Sequence, residues 1–191
     1  MTKYNLLLKS NKNVFTVDDL VLLWSSEDRR KALESVKGYI RAGKLFSVHK
    51  GVYSLDEEYS RFELAQKLYT PSYISYLTAL AFHGIVFQYY EDIHLFAENS
   101  KNIEVGNEKY IFHKAKDRVL YNDKGIIQID NYNIASPERA VCDSLYLNPN
   151  IGFDNLEQID ENKLTQISMI YENKLLIKRV SKLIENLRNV E

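Results

Sequence analysis

Three apolar stripes at helical spacing, followed by two short β-prone runs, fill the first 55 residues. Residues 4–9 form a short apolar-rich helix ahead of the polar loop Ser10-Asn11-Lys12-Asn13. Thr16 opens a second helix: its oxygen accepts a first-turn N–H, and Asp18 and Asp19 stand where the positive helix end favours carboxylates. Leu20, Leu23 and Trp24 give that helix its buried side, and Ser25-Ser26 end it. Over residues 28–42, Leu33, Val36 and Ile40 repeat at i, i+3 and i+7, which predicts a third helix. Gly43 supplies the positive φ that ends it. Residues 45–48 and 52–55 flank a His49-Lys50-Gly51 turn and predict a hairpin. Three helices closed by a hairpin is the order of a winged helix-turn-helix, whose third helix enters the major groove while the hairpin forms the wing.

Past the acidic break Asp56-Glu57-Glu58 the pattern changes. Phe62, Ala65 and Leu68 are helically spaced behind Ser60. Thr70 as cap, Pro71 in the first turn and Gly84 as terminator predict a helix over 71–84, with Tyr73, Leu77, Leu80 and Ala81 inward. Residues 93–97, 103–105, 110–114 and 126–129 have the short β-prone character of strands. Ser136-Pro137 starts another helix, with Val141 and Leu145 inward and a stop at Asn148-Pro149-Asn150. Leu164, Ile167, Tyr171, Ile177, Val180, Ile184 and Leu187 then mark one or two amphipathic helices. The expectation is an α+β chain. A winged helix-turn-helix occupies residues 1–55, and a mixed α/β C-terminal domain occupies 56–191, with a helical tail from about 155 to 191.

Charge sharpens this division. Residues 1–55 hold 10 Lys and Arg against 5 Asp and Glu, and residues 56–191 hold 15 against 21, within a total of −1. A basic head on an acidic body points to double-stranded DNA as the partner of the head. With Leu33, Val36 and Ile40 inward, Lys31, Ser35, Gly38 and Ala42 lie opposite, flanked by Arg30, Glu34, Lys37 and Arg41. Arg30 and Lys31 are the expected base readers, because the start of a recognition helix enters deepest. Arg41 and Lys50, with His49 beside it in the turn, are expected at phosphates. Arg29 falls on the buried side of this wheel.

Composition excludes other classes. With 191 residues, 45 % hydrophobic and 27 % charged, the chain is too apolar for disorder. One cysteine, Cys142, forbids an internal disulfide or a multi-cysteine metal site and fits a reducing cytoplasm. No apolar run approaches a membrane span, so no membrane partner is expected. His49, His83, His94 and His113 have no metal-ligand spacing, and neither a Gly-rich phosphate loop nor a Gly-x-Ser-x-Gly elbow occurs. No catalytic residue, metal or cofactor is therefore expected. Arg139 and Asp143, four apart on a short helix, form either a surface pair or a buried one; the shortness of the helix favours the buried pair.

Three blocks carry a resemblance: Lys50-Gly51-Val52-Tyr53; Pro71 to Leu80 with His83-Gly84-Ile85; and Ala135-Ser136-Pro137-Glu138-Arg139-Ala140-Val141-Cys142-Asp143. Over residues 3–147 the chain resembles the AbiEi antitoxins of AbiE abortive-infection, type IV toxin–antitoxin systems. The resemblance implies a winged helix that represses the toxin–antitoxin operon and a C-terminal domain that counters a nucleotidyltransferase-like toxin. Within it Gly51 and Tyr53 match the wing end. Ser75, Ala79, Leu80, His83 and Gly84 match one helix signature, and Ser136, Pro137, Arg139, Ala140 and Asp143 match the other. The alternatives are a stand-alone winged-helix regulator whose C-terminal domain dimerises or senses a ligand, and a nucleic-acid-modifying enzyme targeted by the winged helix.

Overall fold

The structure, a computed structural model, describes residues 2–26, 28–88 and 90–189; residues 190 and 191 of the expected tail lie outside them. The chain divides into two compact units, Met1–Thr70 and Pro71–Glu191.

The first unit runs α1 (Lys3–Lys9), β1 (Val14–Thr16), α2 (Val17–Leu23), α3 (Arg29–Arg41), β2 (Phe46–His49), β3 (Val52–Ser54) and α4 (Arg61–Leu68). Thr16 and Asp19 cap α2 reciprocally, each side chain accepting from the other's backbone N–H. Leu7, Phe15, Leu20, Trp24, Ala32, Val36 and Leu45 form the core. The antiparallel sheet has the order β1-β3-β2. Strand β1, three residues with no alternation to announce it, is absent from the sequence expectation.

The unit extends past residue 55 because α4 completes it. Glu63, buried on α4, accepts from the N–H groups of Asn13 and Val14, each at 3.1 Å, at the free edge of β1. An edge strand's unpaired donors are thus satisfied by a carboxylate. Lys67 adds an ion pair with Asp19 at 2.9 Å. Burial alone would raise the Asp19 carboxyl, but the hydrogen bonds from Lys67 and Thr16 and the charge of Lys67 together outweigh it and hold the carboxyl below its usual range.

The second unit contains β4 (Ser72–Ile74), α5 (Tyr76–Phe82), β5 (Ile93–Ala97), β6 (Lys101–Val105), β7 (Glu108–Lys114), α6 (Asp117–Leu120), β8 (Ile126–Ile129), β9 (Tyr132–Ala135), α7 (Pro137–Leu147), α8 (Glu161–Ser168), a 3-10 turn (Met169–Tyr171) and α9 (Lys174–Arg188). Its mixed sheet has the order β6-β7-β5-β4-β9-β8. Strand β4 pairs antiparallel with β5 and parallel with β9.

The expected helix over 71–84 is half wrong. Residues 72–74 are a strand between two neighbours, and the helix begins only at Tyr76. Sheet partners on both sides of Tyr73 and Ile74 override the local cap-and-proline signal, as tertiary context does for short segments. Helix α7 starts behind Ser136 as expected, and every residue from Glu138 to Leu145 is buried. It contacts α5, α8, α9 and β9, which leaves it no solvent face.

Candidate nucleic-acid interface

Asp28 caps α3, accepting from the Arg30 N–H at 2.9 Å. The inward line of this helix is Ala32, Val36 and Tyr39. Ala32 and Val36 are buried, and Tyr39 packs its ring against Trp24 and Tyr4, at 6.0 and 5.7 Å between centroids. The expected line through Leu33 and Ile40 is corrected: Leu33 is half-buried and Ile40 is exposed. Two aromatic partners decide the matter, since they seat Tyr39 and so turn the helix about its axis.

The rotation redraws the outer face. At about 100° per residue, Arg30, Glu34, Lys37 and Arg41 lie roughly 140–200° from Ala32. All four are exposed. They form the outermost line rather than flanking it. Lys31, Gly38 and Ala42, also exposed, occupy one margin. Ser35 is no longer opposite the core. It turns toward α1, where the Lys3 ammonium donates to its Oγ at 2.8 Å and its own hydroxyl donates to the Lys31 carbonyl at 3.1 Å. Arg29 is corrected as well: it is exposed and ion-paired with Asp18 of α2.

The hairpin presents Lys50 at its tip, exposed, beside Gly51 at φ +77°. His49 ends β2 opposite Val52, half-buried, after a register shift between Ser47 and His49. The first unit therefore carries Arg30, Lys37 and Arg41 on one helix face and Lys50 at one turn. Within this line, among the described residues, stands the carboxylate of Glu34, whose Oε1 lies 3.8 Å from Arg30 Nε. An exposed pair at that distance is worth little, about 0–1 kcal/mol, and leaves both groups accessible.

Ser75, Arg139 and Asp143 behave differently: they are interior. Arg139 and Asp143 are completely buried on α7, with Arg139 Nε 3.6 Å from Asp143 Oδ2. The Arg139 guanidinium donates to the carbonyls of Val119 at 2.6 Å and Lys124 at 2.9 Å, and to the Tyr73 hydroxyl at 2.9 Å. Asp143 accepts from Ser75 Oγ at 2.6 Å, Tyr171 OH at 2.5 Å and Tyr73 OH at 3.2 Å. Burial pushes the Asp143 carboxyl above its ordinary value, against the pull of Arg139 and the three hydroxyls. Burial alone would lower the Arg139 guanidinium; the Asp143 carboxylate together with the Tyr171 and Tyr73 hydroxyls outweighs it and fixes the proton more tightly. This network ties β4 and the start of α5 to α7 and the 3-10 turn. With no solvent contact at Arg139 or Asp143, it anchors the fold and presents no surface to a partner.

The other block residues also serve the fold. Ser136 caps α7, accepting from Arg139 N–H at 3.3 Å and donating to Glu138 at 2.9 Å. His83 ends α5 and hydrogen-bonds the Ala135 carbonyl at 2.8 Å through Nε2. Gly84 follows at φ +67°. The sequence reading missed Tyr73 and Tyr171 as partners of Asp143, and nothing in their spacing along the chain marks them.

No three His, Cys, Asp or Glu side chains among the described residues are grouped to hold a metal ion. No helix of the described residues is long and apolar enough to cross a membrane. Compared with models of known protein families and with curated proteins, the chain matches none, so the likeness to the AbiEi antitoxins rests on its own residues alone.

Proposed function

We propose that the first unit is a winged helix that binds duplex DNA, and that the chain is an autoregulating antitoxin resembling the AbiEi family. The observation that carries the DNA half is the outward line of α3. Arg30, Lys37 and Arg41 share one exposed face, and Lys50 stands at the tip of the hairpin that follows. The element order and the β1-β3-β2 sheet support the same reading, because a third helix followed by a hairpin is the order of a winged helix. Over the whole of this unit, 12 Lys and Arg stand against 9 Asp and Glu, so its charge is positive although smaller than that of residues 1–55. The antitoxin half rests on the resemblance. To this the network adds that two blocks distant in sequence, around Ser75 and around Arg139, form one structural unit.

A reporter fused to the chain's own upstream region tests repression, and co-expression with the neighbouring gene product tests antitoxin action by growth. The proposal expects repression that Arg30→Ala/Arg41→Ala abolishes, together with growth rescue by the full chain. Repression without rescue favours the stand-alone regulator. Absence of both removes the proposal.

A further inference from the structure

We propose that Glu34 reads a cytosine in the major groove, and so sets sequence preference rather than affinity; this rests on the DNA-binding reading of α3. The rotation of the helix carries the inference. With the core line on Ala32, Val36 and Tyr39, Glu34 stands within the line of cations, one turn after Arg30 and ahead of Lys37 and Arg41. Its side chain is two-thirds exposed and that of Arg30 more so. A docking that brings the flanking cations into the groove brings Glu34 with them.

Chemistry then limits what Glu34 can meet. An ionised carboxylate only accepts hydrogen bonds. Phosphates are acceptors, and so are guanine O6 and N7 and thymine O4. The donors in the major groove are the amino groups of cytosine N4 and adenine N6, and a carboxylate is the usual partner of cytosine N4. Adenine sets its acceptor N7 beside the amino group, which suits an amide that both donates and accepts; cytosine offers no such acceptor. Opposite guanine or thymine the carboxylate loses water and gains nothing, and opposite adenine the repelling N7 offsets the amino group, so it acts mainly by excluding wrong sequences.

Arg30 supplies the neighbouring contact. Four residues of helix rise about 6 Å, roughly two base-pair steps, and the guanidinium suits guanine O6 and N7. The spacing of 3.8 Å sets Arg30 beside Glu34 and leaves both free to meet bases. The expected site therefore contains a cytosine within about two steps of a guanine.

Selection of duplexes from a random library by the full-length chain, at one fixed salt concentration, tests this. Wild type should enrich a site with a cytosine at one position. Glu34→Gln should shift that position toward adenine, because an amide pairs with adenine N6 and N7. Glu34→Ala should leave it degenerate and tighten binding to an unrelated duplex, with the specific-to-unrelated affinity ratio falling about tenfold or more. Both variants should melt as wild type does, since the side chain is exposed. If wild type and both variants enrich the same sequence equally, the inference fails while DNA binding stands. If wild type retains duplexes without enriching any sequence, the inference also fails; if it retains none, the DNA-binding reading itself fails.

Discussion

Replacing Arg139 by alanine removes the guanidinium from a site with no access to water. Asp143 then keeps its three hydroxyl donors but loses its countercharge, and breaking a buried pair from one side costs about 3–5 kcal/mol. The Val119 and Lys124 carbonyls, which accept at 2.6 and 2.9 Å, lose their donors, at about 1–3 kcal/mol for each left unsatisfied. These costs overlap, so about 5 kcal/mol is a fair total, against about 5–15 kcal/mol for the stability of a whole domain. At roughly 3–5 °C per kcal/mol for a unit of this size, the melting temperature should fall by about 15 °C or more. Calorimetry on the full chain measures it, because the transition of the second unit should move while that of the first stays. The double variant Arg139→Ala/Asp143→Ala should recover part of the loss, since no charge is then stranded, giving a coupling of at least about 1 kcal/mol. A single variant that melts within about 2 °C of wild type would refute the buried network as the anchor of this unit.

Three further outcomes follow from local geometry. A fragment of residues 1–70 should unfold cooperatively, while residues 1–55, lacking Glu63 and Lys67 to cover β1, should show a lower or lost transition by circular dichroism; equal melting would contradict the role given to α4. His94 Nδ1 and His113 Nε2 share a hydrogen bond at 2.9 Å. Burial, and then the neighbouring His113, push His94 down from 6.5 to about 4, and burial also lowers His113 and His83. A depressed folded-state value means that the unfolded chain takes up the proton first. The stability is present above pH 6.5 and is lost as pH falls toward 4, by at most about 3 kcal/mol for His94 and less where solvent screens it. Melting temperatures at pH 7 and pH 5 check the sign, and equal values would contradict it. Gly125 sits at φ +78°, and a Cβ there would lie 2.8 Å from Ile167 Cδ1 and 2.9 Å from Arg139 Cβ. Gly125→Ala should therefore destabilise by about 1–3 kcal/mol, from strain and overpacking, and a wild-type chemical denaturation midpoint would refute it.

What the sequence made legible was local. The Thr16 and Ser136 caps, Gly43 and Gly84 at helix ends, and the Lys50-Gly51 turn are set by neighbours one to four residues away, and their elements lie where the pattern puts them. Residues 72–74 were lost because their strand character depends on β5 and β9, far along the chain. Strand β1 was lost for the same reason, its partner lying beyond two helices. Helix α3 lies where the pattern predicts it but is turned about its axis: Leu33 and Ile40 outweigh Ala32 and Tyr39 in hydrophobicity, and the ring contacts of Tyr39 with Tyr4 and Trp24 reverse the choice. The cationic residues are therefore legible by type, while the rotation puts Glu34 on the outer line and Ser35 beside α1. Arg139 and Asp143 announced their pairing by spacing, but Tyr73 lies 66 and 70 residues before them and joins only through the sheet.

The central claim, that the exposed line of α3 and the hairpin tip bind duplex DNA, is tested most directly by fluorescence anisotropy of the full chain. The probe is a labelled duplex from its own upstream region, titrated at several salt concentrations. Wild type should bind with an affinity that falls steeply as salt rises. Lys50→Ala should weaken all duplexes alike and reduce the logarithmic salt slope by about 0.9, one phosphate contact. Arg30→Ala should instead erase the difference between the upstream duplex and an unrelated one. No binding by wild type at low salt, or binding that none of Arg30, Lys37, Arg41 and Lys50 affects, would contradict the account.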